Sequence, residues 1–541
     1  MDTIQTTYFD DQKPGTSGLR KKTKVFTKKN YLENYVQCLF NSIPELIGGT
    51  LVLGGDGRYF NKEAIQKIVG MASANGVSKV ILGCDGLLST PAVSCIIRKY
   101  KADAGIILSA SHNPGGIEGD FGIKLNGSNG GPVSEQITNK IYEQTKLIKN
   151  YKIVQDVHIN LNILGLFDFM GMTIEIIDSV NDYANLMNSI FDFNAIKALF
   201  SKEFTFCFDA MNAVTGPYAN EIFINRLGAP ATSIINSTPK EDFGGLHPDP
   251  NHRNAREIFS MMFDGDNVDF AACSDGDGDR SIVLGKKTFV SPSDSLALLT
   301  ANATLIKKYK DGILGVARSV PTSKAVDLVA KKLNIKCYET PTGWKFFGNL
   351  IDNQLITFCG EESAGAGSNH IREKDGIWAV LMWLNIIAVT KLNIPQLINK
   401  HWKEFGRHYY SRHDYEEIEE SKAIYIFRAI EEKLSTLRGF VFGDETVSSA
   451  EIFTYKDPVD KSISENQGIV IELEGSSRIV IRLSGTGTAG ATLRIYFEKY
   501  VTPEENLYQD TQMVLSNLIN IANEITQIKD VLGKDFRKVI S

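Results

Sequence analysis

At 541 residues, 43% hydrophobic and 23% charged, the chain is too long for one core and predicts several domains. A formal net charge of −6 argues against a nucleic-acid partner or a membrane-surface role, so any anion site must be a local gathering of cations. The seven cysteines are scattered with no Cys-x-x-Cys pair, which reads as reduced thiols of a cytoplasmic protein. The polar start, residues 1–7, is not a signal peptide. The longest apolar run, 377–389, is interrupted by Asn385 and predicts a buried helix, not a membrane span.

In chain order, residues 13–22 form a small-residue loop followed by three cations. Either this is a solvated basic turn, or Arg20 faces an anion beside amides bared by Gly15 and Gly18. Strands are expected at 50–54, 79–83 and 106–108, with a helix over 61–74 marked by Ile65, Ile68, Val69 and Ala72. This alternation predicts parallel or mixed sheets with helices packed on them. The third strand runs into Ser-Ala-Ser-His-Asn-Pro-Gly-Gly, residues 109–116. It presents the Ser111 hydroxyl at a strand end, where ligands gather in such sheets. That hydroxyl is a weak nucleophile and needs activation from elsewhere.

A second unit begins near residue 180, with strands expected at 204–208 and 268–273. The latter enters Ser-Asp-Gly-Asp-Gly-Asp-Arg, residues 274–280. Carboxylates at every second position repel, and a divalent cation relieves that repulsion; all-oxygen ligands suit Mg²⁺. An EF-hand would need Gly and Glu where Arg280 and Lys286 stand. An aspartyl-nucleophile phosphatase of the haloacid dehalogenase type would normally place Thr or Val where Asp279 stands. A plain acidic turn remains the bland alternative.

A third unit carries expected strands at 311–316 and 335–339 and a helix over 324–332. Thr342-Gly343 follows one strand end, and Glu361-Glu362-Ser363, suited to sugar hydroxyls, follows another. Arg372 and Lys374 could meet an anion or donate a proton. The last unit opens on a hairpin signal around Gly475. It continues to Arg482-Leu-Ser-Gly-Thr-Gly, then Arg494. Arg482, Ser484, Gly485, Thr486, Gly487 and Arg494 read as a phosphate cradle of hydroxyls, bare amides and two arginines, against a loose glycine turn. A closing amphipathic helix spans 514–525.

These motifs, in this order, resemble the α-D-phosphohexomutases, most closely those of eukaryotic phosphoglucomutase type. Nearly the whole length takes part, including Lys-Pro-Gly-Thr-Ser-Gly-Leu-Arg, Glu-Thr-Pro-Thr-Gly-Trp-Lys and His-Ile-Arg-Glu-Lys-Asp-Gly. The resemblance implies an α/β fold of four domains around a central cleft: three related α/β domains with mixed sheets, at 1–179, 180–289 and 290–402, and an α+β domain at 403–541. It implies interconversion of glucose 1-phosphate and glucose 6-phosphate through a phosphoserine at Ser111, with glucose 1,6-bisphosphate as intermediate and activator. Mg²⁺ would be held by Ser111, Asp275, Asp277 and Asp279. Thr342, Gly343, Glu361 and Ser363 would hold the sugar, with Arg20, Arg280, Lys374 and His112 stabilising charge or moving protons. The expected partners are hexose phosphates, and the expected state is a monomer or weak dimer. Another sugar phosphate such as mannose phosphate, or a structural or trafficking phosphoprotein role, are the rival readings. One departure stands out: Ala364 occupies the place of a phenylalanine usual in the family's sugar loop.

Overall fold

The structure, a computed structural model, describes residues 1–265, 267–485, 491–533 and 538–539. It divides into two compact units. The first comprises residues 1–290, 303–312 and 364–394; the second comprises 291–302, 313–363 and 395–541.

The first unit holds two mixed sheets. In the larger, four parallel strands lie side by side: Ala104–Leu108, Thr50–Gly55, Lys79–Leu87 and Met172–Ile177. Antiparallel strands close both edges, with Asp120–Gly127 and Leu19–Lys22 on one side and Gly165–Phe169 on the other. The central strands are buried because helices such as Asn61–Ala74 and Thr90–Tyr100 cover them. Ser89 caps the second of these helices, accepting the Ala92 N–H at 3.2 Å. The smaller sheet pairs Phe206–Asp209 in parallel with Phe270–Ser274, which pairs antiparallel with Ser281–Gly285.

The apolar run near 380 is the helix Gly376–Thr390, buried over nearly its whole surface. Its one polar interior residue is satisfied inside the same unit: Asn385 accepts the Asp192 N–H at 3.0 Å and donates to the Leu305 carbonyl at 3.3 Å. Among the described residues, no single helix is long and apolar enough to cross a membrane.

The second unit contains the parallel strands Gly315–Ser319, Lys336–Thr340 and Phe358–Glu361. The strand expected at 311–316 starts later, at Gly315. The apolar pair Ile313-Leu314 suggests a strand start, yet Leu314 is 56% exposed. Arg318 is buried instead, made tolerable by bonds at 2.6 Å to both Asp327 and Glu339.

The same unit carries an antiparallel sheet built on Arg407–Ile418, Ala491–Val501, Ser477–Gly485 and Ile469–Leu473. Alternation gives it two unlike faces. Ile479, Ile481, Leu493, Ile495 and Phe497 pack into an apolar core with the helices Glu420–Glu431 and Ser516–Thr526. The opposite face carries Arg478, Arg482, Arg494, Tyr496, Glu498, Arg412 and Asp414. Buried Glu498 fastens this face to the segment after Ser319. It accepts from Arg478 Nε (2.6 Å), His408 Nδ1 (2.7 Å), Ser323 Oγ (2.6 Å) and the Lys324 N–H (2.7 Å). Burial alone would raise this carboxyl; Arg478 and His408 hold it well below the ordinary range.

Candidate active site

In the first unit the chain turns sharply after Leu108. Ser111 has φ +54, a left-handed conformation that is costly for a side-chain-bearing residue. What holds it is an ion pair that the sequence reading did not single out. Buried Asp56 accepts Arg58 Nε at 3.0 Å and the Ser109 hydroxyl at 2.5 Å. Ser109 Oγ in turn accepts the Ser111 N–H at 2.7 Å. Arg58 completes the brace by donating to the carbonyls of Ser111 and Asp120, each at 2.8 Å. Both members of the pair are fully buried, so each bond replaces one to water that burial removed.

The acidic loop reaches this serine from the smaller sheet. Ser111 Oγ donates to Asp275 Oδ2 at 2.9 Å across 164 positions of sequence. Close approach depends on Gly276: a Cβ there would lie 2.5 Å from the Ser111 carbonyl oxygen. Gly278 takes φ +77 to continue the turn. Asp275 Oδ1 accepts the Arg280 N–H at 3.1 Å.

The three carboxylates are buried, and one oxygen from each lies within 4.8 Å of the others. Their oxygens divide into two sets. Asp277 Oδ2 is bonded to Lys124 and to the Thr90 hydroxyl. Asp279 Oδ2 faces Lys374 Nζ at 3.2 Å and Lys124 Nζ at 3.6 Å. Asp277 Oδ1 and Asp279 Oδ1 have no hydrogen-bond partner. Buried carboxylate oxygens without a donor are costly, and a cation would relieve that cost. Electrostatics agree. Burial, then Asp279 and Asp277, push Asp275 well above the ordinary carboxyl range. Asp277, which burial would raise, is held well below by Lys124 and Thr90. An all-carboxylate set of this kind could hold a hard divalent metal ion.

Four further expected residues lie in this unit. Arg20 sits on the edge strand Leu19–Lys22, where burial and Arg280 lower its pKa against the opposing pull of Asp277. Arg280 lies 3.8 Å from Asp279. Lys374 faces Asp279, and the His112 ring stacks on His247 with centroids 6.4 Å apart. Lys124 is the group that sequence reading missed. It stands in the middle of the strand Asp120–Gly127, and Asp277 and Asp279 keep it charged against the effect of burial.

The second unit gathers the remaining residues into two sets. The Gly343 N–H donates to Glu361 Oε1 at 3.0 Å, joining the Thr342-Gly343 turn to the glutamate loop. Thr342 Oγ1 is buried beside them without a partner; Ser363 follows, half-buried. On the polar face of the antiparallel sheet, Arg482 lies directly opposite Arg494. Like charges in that register repel unless an anion intervenes. Asp414 Oδ2 lies 3.6 Å from Arg494 Nε and 3.1 Å from Arg412 Nη2. Arg412 is therefore a further cation beside Arg482 and Arg494 on this face, unmarked in the sequence. The backbone of Ser484 and Gly485 continues the strand; Thr486 and Gly487 lie outside the described residues.

Comparison with known proteins covers the chain end to end. The models described as Phosphoglucomutase/phosphomannomutase, alpha/beta/alpha domains I, II and III match residues 11–152, 181–288 and 292–405. The Phosphoglucomutase-1 C-terminal domain matches 407–536. A Phosphoglucomutase of Rhizobium radiobacter is 55% identical over 97% of both chains. Phosphoglucomutase-1 of Bos taurus is 49% identical over 100% of this chain and 99% of its own. Among solved structures, parafusin of Paramecium is described as an exocytosis-sensitive phosphoprotein and phosphoglucomutase, in an open form. It superposes with a TM-score of 0.91 at 46% identity, covering 100% and 99% of the two chains. The chain thus belongs to the phosphoglucomutase/phosphomannomutase family, the α-D-phosphohexomutases, and has that family's four-domain α/β fold.

Proposed function

We propose that the chain is a phosphoglucomutase, an isomerase that interconverts glucose 1-phosphate and glucose 6-phosphate through a phosphorylated Ser111. The observation that carries this reading is the 2.9 Å contact between Ser111 Oγ and Asp275 Oδ2, with oxygens of Asp277 and Asp279 that accept no hydrogen bond alongside. Relatives of 49–55% identity bearing the phosphoglucomutase name support it.

The phosphoryl group leaves Ser111 Oγ for the 6-hydroxyl of glucose 1-phosphate, giving glucose 1,6-bisphosphate. That intermediate then presents its other end, Ser111 takes the phosphoryl from carbon 1, and glucose 6-phosphate departs. Asp275, Asp277, Asp279 and Ser111 would hold Mg²⁺, which when bound neutralises charge on the transferring group. Lys124, kept as an ammonium by Asp277 and Asp279, supplies positive charge and is unsuited to accept a proton. Arg20, Arg280, Lys374 and His112 complete the charge and proton-transfer groups. Thr342, Gly343, Glu361 and Ser363 hold the sugar in both orientations. Arg482, Ser484, Gly485, Thr486, Gly487 and Arg494 hold the phosphate that does not react. The enzyme works as a monomer or weak dimer. A cytoplasmic setting belongs to the same reading and is supported by seven cysteines that form no disulfide. A purely structural role is not favoured, since Ser111 and all three aspartates are present.

The test is a coupled assay with glucose 1-phosphate, Mg²⁺ and a trace of glucose 1,6-bisphosphate. Wild type turns over, and Ser111→Ala is inactive; an equal rate in the variant overturns the assignment. Mannose 1-phosphate run in parallel decides sugar choice.

A further inference from the structure

Glu362 stands between two residues assigned to the sugar, Glu361 and Ser363, yet its own carboxylate is engaged elsewhere. It is 7% exposed. Its N–H donates to Thr322 Oγ1 at 2.9 Å, and its Oε2 accepts from Ser319 Oγ at 3.4 Å. Its Oε1 accepts from the hydroxyl of Tyr496, a residue 1% exposed on the polar face of the antiparallel sheet. Tyr496 stays protonated, since burial and Glu362 raise its pKa. Arg482 is its diagonal neighbour on the same face, since Val480 pairs with Tyr496 and Arg482 with Arg494, and a side chain of that length reaches such a neighbour. A phenol can donate once and still accept, so one hydroxyl can serve both Glu362 and Arg482. Arg482 is directly opposite Arg494, and a cation so placed will swing away unless something fixes it.

We propose that Glu362, acting through Tyr496, is a positioning residue that holds Arg482 in place for the non-reacting phosphate and so ties the sugar loop to the phosphate cradle. This inference rests on the phosphoglucomutase reading above and deepens it. Filling the cradle and ordering the sugar loop become one event, because the buried chain Arg482–Tyr496–Glu362 is continuous with the residues on either side of Glu362. A carboxylate already bonded to Ser319 and Tyr496 also gives this glutamate a task within the sugar loop other than binding sugar hydroxyls.

The experiment uses the full-length Mg²⁺ enzyme and three variants, Glu362→Gln, Tyr496→Phe and Arg482→Ala. It reads kcat and KM for glucose 1-phosphate, competitive inhibition by inorganic phosphate, and the thermal transition. Tyr496→Phe removes one oxygen and keeps the ring, so it remains folded if Glu362→Gln does not. Each of these two raises KM and the phosphate inhibition constant about ten-fold, the loss of one charge-assisted bond, with kcat nearly unchanged. The double variant is no worse than either single one, as expected of a single chain of bonds. A merely structural role would lower the thermal transition and leave phosphate inhibition as in wild type; that result overturns the proposal. If wild type lacks mutase activity, or Arg482→Ala leaves KM untouched, the cradle reading itself falls and the inference with it.

Discussion

Replacing Gly276 by alanine tests whether the acidic loop must press on the serine backbone. The added Cβ would sit 2.5 Å from the Ser111 carbonyl oxygen, where real Cβ atoms essentially never come within 3.0 Å. The two backbones must therefore part by at least 0.5 Å, from 3.0 minus 2.5. Neither side yields easily. The Ser111 carbonyl is held by Arg58 at 2.8 Å, and the Gly276 N–H by the Pro248 carbonyl at 3.1 Å. Pro248 and Phe243 close the space, 3.3 and 3.4 Å from the same Cβ. Displacement therefore falls on the 2.9 Å contact between Ser111 and Asp275.

Overpacking of this kind costs roughly 1–3 kcal/mol of stability. A misplacement approaching 1 Å costs about 10²-fold in rate. The expected result is kcat reduced by about two orders of magnitude, with a raised requirement for divalent metal. Gly348→Ala is the control: its Cβ meets open space within the helix Trp344–Asp352, so alanine there should stabilise by about 0.5–1 kcal/mol with activity intact. Wild-type kcat in Gly276→Ala would refute the claim that this contact sets the geometry of transfer.

Three other outcomes are expected. Arg58→Met strands the buried Asp56 carboxylate and should lower stability by about 3–5 kcal/mol, read as a falling urea midpoint together with lost activity. Glu373 is buried, accepts Asn126 Nδ2 at 3.1 Å, and is pushed up to about 7, chiefly by burial, from an ordinary 4.5. The folded state therefore binds more protons than the unfolded state between those values, and stability falls as pH rises from 4.5 to about 7. Glu373→Gln should flatten that slope in urea titrations across the interval; an unchanged slope would exclude Glu373 as its source. Ala364 takes φ +67 and packs beside the cluster of Cys207, Met211 and Ile258. Ala364→Val should therefore cost about 1–2 kcal/mol, since a β-branched side chain resists that conformation. Ala364→Gly should be neutral or better, and equal urea midpoints for the two would contradict the backbone argument.

What could be read in the sequence was whatever is encoded locally. The helix Asn61–Ala74 announces itself through the spacing of Ile65, Ile68, Val69 and Ala72, and those four residues are buried. The Ser111 and Asp275–Asp279 loops are legible because glycine, proline and repeated acids carry their turn chemistry on the surface of the sequence. Groups placed by tertiary pairing were not legible. Lys124 alternates with Ile123 and Leu125 in the strand Asp120–Gly127, a pattern that ordinarily sends a lysine to solvent; only the arrival of Asp277, 153 residues away, makes its burial tolerable. Asp56 and Arg58 carry no motif in the sequence, and Arg412 is one arginine within the strand Arg407–Ile418. Arg318 in the strand Gly315–Ser319 is a similar case, its burial made tolerable by Asp327 and Glu339. For Lys124 the counter-charge comes from a distant part of the chain; for Arg58, Arg412 and Arg318 it stands two to nine residues away, and what the sequence does not display is that the fold buries the pair. The residues that sequence reading missed are thus the ones whose burial is affordable only in the assembled fold. Lys124 against Asp277 is the clearest case, a cation only 9% exposed beside a carboxylate with no exposure at all.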